Sequence, residues 1–181
     1  MRKFLILIPF ILLFLPGIAQ KSNIFGQVGI GYYNGSGIQG NSLTIDGSRS
    51  GGFGGEATIN SFAGKIVALG VGLDLMKFTN TDHAFIPVFG DIKFVVPGKA
   101  RFYVVIDPGY CFYNNTNQGT TDKGGLYIGS GIGVWFPSTA KAKLFLQVKY
   151  NFITINTLSG GDLGNSSGSI GVFSFLIGVK F

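Results

Sequence analysis

The feature that most constrains the fold is a two-residue alternation between large apolar side chains and small or polar ones. Between residues 67 and 75 every odd position is valine or leucine, whereas the even positions are Ala68, Gly70, Gly72 and Asp74. Because successive side chains of a β-strand point to opposite faces, this period predicts strands with one apolar face. Comparable segments predict an all-β chain of eight strands, at 24–33, 52–62, 66–78, 84–95, 101–113, 124–136, 143–154 and 169–181.

The composition decides which environment the apolar face meets. Charged residues make up only 12% of the chain, about half the share that is usual in soluble domains. No segment after the first twenty residues is apolar for long enough to form a membrane-spanning helix. A sheet in lipid must pair every backbone group, which it achieves by closing on itself. The sequence therefore predicts an eight-stranded antiparallel up-and-down transmembrane β-barrel.

The N-terminus has a different character. Arg2 and Lys3 precede an apolar run over 4–15, and Gly17 and Ala19 place small residues at the −3 and −1 positions of a cut after Ala19. This three-part pattern is typical of a secretory signal peptide. We therefore predict a signal peptide over 1–19, export through the general secretory pathway, and a barrel domain over 20–181.

The gaps between the predicted strands differ in length. The odd-numbered gaps span 34–51, 79–83, 114–123 and 155–168, and the even-numbered gaps span only 63–65, 96–100 and 137–142. In outer-membrane barrels long loops face the outside and short turns face the periplasm. We expect both mature termini in the periplasm and the polar loops 34–51, 114–123 and 156–168 outside, available to an extracellular ligand or surface partner.

Parity also places charged residues inside the barrel. Buried charges are costly unless they are paired, and the interior of eight strands is barely wide enough for side chains. We therefore predict a charge network that fills the lumen, although register and shear leave the pairing open and make Asp91 with Lys93 the least expected pair. The functional alternatives are a proton or ion path and a carboxylate pair for catalysis. The predicted members are Glu56, Asp74, Asp91, Lys93, Asp107 and Lys149.

No pattern in the chain indicates a catalytic, cofactor or metal site. His83 is the only histidine, lies in the predicted loop 79–83 and has no adjoining serine, as a hydrolytic triad would require. Cys111 is the only cysteine and is expected to serve packing. Basic residues are scattered, so no nucleic-acid partner is predicted. Aromatic residues near strand ends fit either interfacial girdles or core packing: Tyr32, Tyr33, Phe53, Tyr110, Tyr113, Trp135 and Phe136.

Three short patches resemble a known family. The stretches 86–94, 108–110 and 124–129 are similar to outer-membrane β-barrel proteins common in Bacteroidetes, of the porin-like or OmpA/OmpX-like type. The resemblance implies outer-membrane lipid and the barrel-insertion machinery as partners, with Phe181 as the C-terminal insertion signal. It implies a non-enzymatic barrel with a structural, adhesive or ligand-binding role. A narrow ion or small-solute conduit, a lipid-modifying enzyme and a soluble, lipid-holding barrel remain alternatives.

Overall fold

The strands observed in the structure form one closed sheet. The computed structural model describes residues 23–40, 50–79, 83–98, 100–115, 122–137, 142–157 and 166–181. The predicted signal peptide over 1–19 lies outside the described residues, as do parts of the predicted loops. The strands are β1 (Ile24–Gly40), β2 (Ser50–Phe62), β3 (Val67–Phe78), β4 (His83–Val95), β5 (Arg101–Asn115), β6 (Asp122–Lys123), β7 (Gly125–Trp135), β8 (Lys143–Thr157) and β9 (Ser166–Lys180).

Antiparallel pairing between successive long strands builds the barrel. Each long strand pairs with the next, and β9 pairs with both β8 and β1, which closes the sheet. The two-residue β6 pairs with β8 beyond the pairing of β7 with the same strand. Eight long strands therefore surround the lumen, and the predicted eight-stranded antiparallel barrel is confirmed. No helix in the described ranges is long and apolar enough to cross a membrane.

The two ends of the barrel differ. The beginning of β1, the end of β9 and the strand ends joined through 63–66, 96–100 and 136–142 lie at one end, here called the short-turn end. The end of β1, the start of β9 and the remaining strand ends lie at the other, the long-loop end. Phe181 follows β9, and its backbone still exchanges two hydrogen bonds with Gly26 of β1. The start of β1 and the end of β9 thus lie side by side at the short-turn end.

The predicted strand boundaries were wrong at the long-loop end. Residues 34–40 and 50–51, assigned to a loop from the sequence, belong to β1 and β2, and β5, β8 and β9 also run past their predicted ends into the assigned loops. His83 begins β4 rather than closing a loop. The physical reason is that backbone pairing needs no particular side chain. β1 stays paired with β9 to Gly40, through one register shift, although the apolar alternation used to predict the strand stops earlier.

Residues on each strand alternate between an outer wall and the lumen. In β3, Leu73 and Leu75 are about half exposed on the wall, whereas Asp74 and Met76 are buried. Glycines on the lumen side leave room for rings: a Cβ at Gly133 would collide with the ring of Tyr103. The wall is therefore apolar and continuous, and the core of the protein is the lumen itself.

Candidate functional site

The centre of the lumen is occupied by a lysine that joins three strands. Lys149 on β8 forms ion pairs with Glu56 of β2 and with Asp107 of β5, the second at 2.8 Å between Nζ and Oδ2. Gln147 Nε2 donates a further hydrogen bond to Glu56 Oε1 at 3.2 Å. Lys149 is only 1% exposed. Both carboxylates therefore share one buried cation that reaches them across the barrel.

A second ion pair lies on a single strand. Lys93 and Asp91 occupy alternate positions of β4, so both point into the lumen, and they form a buried ion pair. Asn60 Nδ2 of β2 donates to the same oxygen of Asp91 at 3.2 Å. The pairing that was least expected from the sequence is thus present, because side chains at i and i+2 of a strand share one face.

Asp74 depends on a hydroxyl instead of a cation. Tyr33 Oη donates a hydrogen bond of 2.6 Å to Asp74 Oδ1, and the register places Asp74 directly opposite Glu56. The second oxygen, Oδ2, is buried without a hydrogen-bond partner among the described residues. The structure therefore places all six predicted charges inside, with four acids around two lysines.

Aromatic clusters close the lumen on both sides of this network. Towards the long-loop end Phe85 packs against Phe78 and Tyr113, with ring centroids 5.7 and 5.0 Å away. At the short-turn end Trp135 packs against Phe25 and Tyr103, with centroids 5.4 and 4.8 Å away. The lumen of the described chain is consequently filled by side chains along its length.

The aromatic residues near strand ends divide between the two roles that the sequence left open, core packing and interfacial girdles. Tyr33, Tyr113 and Trp135 are buried in the lumen, so they serve packing. Tyr32, Phe53, Tyr110 and Phe136 are exposed on the wall, in the positions that interfacial girdles occupy.

Lys180 is a lumen cation that the predicted charge network did not include. Its ammonium lies 3.9 Å from the ring centroid of Trp135 and 4.1 Å from that of Phe25. Such contacts are attractive because the ring face carries negative charge. The available signal was its parity, since 180 has the lumen-facing parity of Ser174 and Leu176.

The remaining candidates form no recognisable chemical centre. Cys111 is a free, buried thiol, and the side chain of His83 lies outside the described residues. Within the ranges that the structure describes, no group of histidine, cysteine and acidic residues could hold a metal ion. The six predicted charges are held by ion pairs and hydrogen bonds within the lumen, although one oxygen each of Asp74, Asp91 and Asp107 has no hydrogen-bond partner among the described residues.

An apolar outer wall around a closed antiparallel barrel with a polar, packed interior defines the class of small transmembrane β-barrels. No family model and no curated protein matches the sequence. Among solved structures, neisserial surface protein A is similar with a TM-score of 0.64 at 16% identity, covering 88% of this chain and 98% of that one.

Two further outer-membrane proteins share the fold. AlkL, determined in lipid bilayers, gives a TM-score of 0.56 at 8% identity, covering 87% of this chain and 88% of its own. OprG from Pseudomonas aeruginosa gives 0.52 at 12% identity, covering 87% and 95%. At these identities the similarity establishes the fold, that of small outer-membrane barrels, and nothing finer.

Proposed function

We propose that this protein is a non-enzymatic integral barrel of the bacterial outer membrane that acts through its surface. The observation that carries the proposal is the contrast between wall and lumen. Large apolar side chains are exposed around the whole wall, with Val71 60% and Ile132 65% exposed. Exposed apolar area of this extent is tolerated when lipid covers it.

The filled lumen favours a surface role over a conduit. Water-filled porins use about 16–18 strands, and here eight strands enclose a network that ties Lys149 to Glu56 and Asp107. An ion crossing the barrel would have to break these pairs and displace the aromatic clusters beyond them. We therefore expect the lumen of the described barrel to act as a structural core rather than as a diffusion path or a catalytic centre.

The outside of the cell is the place where such a barrel meets partners. The connections at the long-loop end, within the predicted loops 34–51, 114–123 and 156–168, are rich in Asn, Gly, Ser and Thr. They are suited to a structural, adhesive or ligand-binding role, because polar loops on a rigid scaffold commonly carry recognition. The neisserial barrel of the same fold is itself described as a surface protein.

Export and orientation complete the proposal. We expect cleavage of 1–19 after Ala19, insertion by the barrel-insertion machinery through the strand that ends at Phe181, and periplasmic termini. Phe181 is 65% exposed and its backbone pairs with Gly26, so the terminal ring stands on the wall at the seam where the barrel closes. The Bacteroidetes relationship implied by the three sequence patches also remains a prediction.

Fractionation with a heat-modifiability gel tests the location. The protein should appear in the outer-membrane fraction and migrate differently before and after boiling. Recovery in the soluble periplasm would contradict the proposal and support a soluble, lipid-holding barrel. Steady single-channel currents of the purified protein in planar bilayers would instead favour a conduit, and turnover of a lipid substrate would favour an enzyme.

Thiol labelling tests the orientation. In a Cys111→Ser background, Ser42→Cys in the 34–51 segment should react with a membrane-impermeant maleimide on intact cells. The matched control is Gly64→Cys in the β2–β3 turn, where an added Cβ has no atom within 4 Å. Labelling at Gly64→Cys alone would show that the orientation is the reverse of the one proposed.

A further inference from the structure

The charges of the lumen network do not balance. Four buried carboxyl groups face two buried lysines, so the fully ionised network would carry a net charge of −2. Lys180 does not correct the balance, because it lies at the short-turn end against Trp135 and Phe25 and forms no ion pair with any described acid. An uncompensated charge is costly in an interior that excludes water. The network therefore requires further positive charge.

Two of the acids stand opposite each other on neighbouring strands. The β4–β5 register is the same before and after Asp91 and places this residue opposite Asp107. Opposed residues of an antiparallel pair have Cβ atoms about 4.5–5.5 Å apart. Lys93 and Asn60 hold Oδ2 of Asp91, and Lys149 holds Oδ2 of Asp107. Oδ1 of each aspartate is buried without a hydrogen-bond partner among the described residues.

Asp74 on β3 is in a similar position. It stands opposite Glu56 in the β2–β3 register, Tyr33 donates a hydrogen bond to its Oδ1, and its Oδ2 has no partner among the described residues. Glu56 is paired with Lys149, whereas no described lysine forms an ion pair with Asp74. Because Asp74 is fully buried, its ionised form would be an unpaired anion that faces a second carboxylate.

Bound protons would supply both the charge and the missing hydrogen bonds. A carboxylate oxygen only accepts hydrogen bonds, whereas a protonated carboxyl oxygen donates one. A proton on Asp107 Oδ1 would allow a hydrogen bond to Asp91 Oδ1, and a proton on Asp74 Oδ2 would allow one to Glu56. Two protons also cancel the excess negative charge. Carboxyl groups held side by side commonly share a proton, because like charges at close range oppose the ionisation of both.

We propose that the lumen is a proton-binding site, in which Asp107 and Asp91 share one proton and Asp74 carries another. The site is independent of any partner at the cell surface. The titratable groups that face these three carboxyls are Tyr33 of β1, Glu56 of β2, Lys93 of β4, Cys111 of β5, Tyr127 of β7 and Lys149 of β8. Tyrosine, cysteine and lysine ordinarily titrate above about pH 8, so the carboxyl groups are the ones that exchange protons below it.

Urea titrations of the mature protein in detergent micelles, from about pH 5 to about pH 8, test the site. For each proton taken up on folding, the folding equilibrium constant should fall about tenfold per pH unit, because the unfolded chain releases that proton above about pH 4 and the fold must recover it. The stabilisation is complete below the ordinary carboxyl range and is lost as the pH rises through the range in which the folded network releases its protons.

Asparagine variants assign the protons to residues. In Asp107→Asn and in Asp74→Asn an amide N–H takes the place of the bound proton, so each variant should lose the share of the pH dependence that one proton contributes. The two changes together should remove most of it. The matched control is Asp122→Asn on β6, an aspartate outside the charge network, which should leave the pH dependence of the wild-type protein unchanged.

Infrared spectroscopy of the wild-type protein provides a measurement that needs no variant to fold. At neutral pH the folded barrel should show the carbonyl band of protonated carboxyl groups, and the urea-unfolded chain should lack it. Absence of this band from the folded protein would overturn the proposal, as would an equal pH dependence of the wild-type protein and both asparagine variants. A folding equilibrium constant that rises with sodium concentration, at fixed pH and ionic strength, would also overturn it, because a metal cation would then supply the positive charge.

Discussion

The outer wall and the lumen are built from the same strands, yet they follow opposite rules. On β3, Leu73 faces outward and is about half exposed, whereas its neighbour Asp74 is fully buried and held by Tyr33. The wall keeps charge out because lipid offers no partner for it. The lumen accepts charge because each ion meets a side chain that satisfies it at least in part. Exposure and polarity are therefore inverted relative to a soluble protein, and the partner, rather than burial, decides where a charge is tolerated.

Removal of the central cation, Lys149, should lower the stability of the barrel more than any other change considered below. Lys149→Ala leaves Glu56 and Asp107 buried without their lysine, and loss of one partner of a buried pair typically costs about 3–5 kcal/mol. The free energy of unfolding, measured by urea titration in liposomes, should fall by that amount. Neutralising the acids in the same protein, with Glu56→Gln and Asp107→Asn, should restore part of it. An unchanged unfolding midpoint, together with a gained or lost conductance, would contradict this role and indicate that the network is an ion path.

A charge placed on the wall should cause the second-largest loss of stability. Val71 is 60% exposed on β3, and Val71→Arg should cost about 2–4 kcal/mol of folding stability in lipid, as for basic residues at the bilayer midplane. Ala63→Arg, at an exposed position in the short β2–β3 turn, is the matched control and should be nearly neutral. If liposome refolding showed that arginine is tolerated equally at the two sites, the wall would not face lipid.

An added methyl group should also cost more stability in the lumen than on the wall, but this difference should be smaller than the effects of the two charge changes. Gly133→Ala drives a methyl group into the ring of Tyr103 in the lumen, whereas an added Cβ at Gly90 on the wall has no neighbour closer than 3.9 Å. Overpacking a filled interior typically costs about 1–3 kcal/mol, so Gly133→Ala should destabilise and Gly90→Ala should not. Thermal unfolding of both variants in the same detergent measures the difference, and the reverse order would show that the lumen has free space.

The smallest expected difference concerns tyrosine hydroxyls. Tyr127 Oη lies 2.8 Å from Asn151 Oδ1 in the lumen, so Tyr127→Phe should cost about 0.5–1.5 kcal/mol, the net value of one neutral hydrogen bond. Tyr150 is 40% exposed on the wall, and Tyr150→Phe should change stability by less than about 0.5 kcal/mol. Equal losses in parallel unfolding titrations would mean that the Tyr127 bond contributes nothing beyond ring packing.

The side chains that point into the lumen could be predicted more completely than the contacts between them. Parity alone assigned Glu56 and Asp107 to the interior, because a strand alternates strictly. Their common partner could not be predicted, since Lys149 is 93 positions from Glu56 and 42 from Asp107. Two residues so distant in the chain meet only when the register of every intervening strand is set. Parity also places Lys180 on the lumen face, but its aromatic partners could not be predicted, because they come from β1 and β7.

Strand number, antiparallel order and the assignment of side chains to wall or lumen follow from the sequence by itself, because alternation is a local property that each strand carries independently. Which charges pair and where the strands end were decided by the tertiary structure. Closure of β9 on β1 sets the register around the barrel, and that register chooses the neighbours of every lumen side chain. Backbone hydrogen bonding then extends β1 to Gly40, beyond the apolar pattern, because paired N–H and C=O groups do not depend on the side chains beside them.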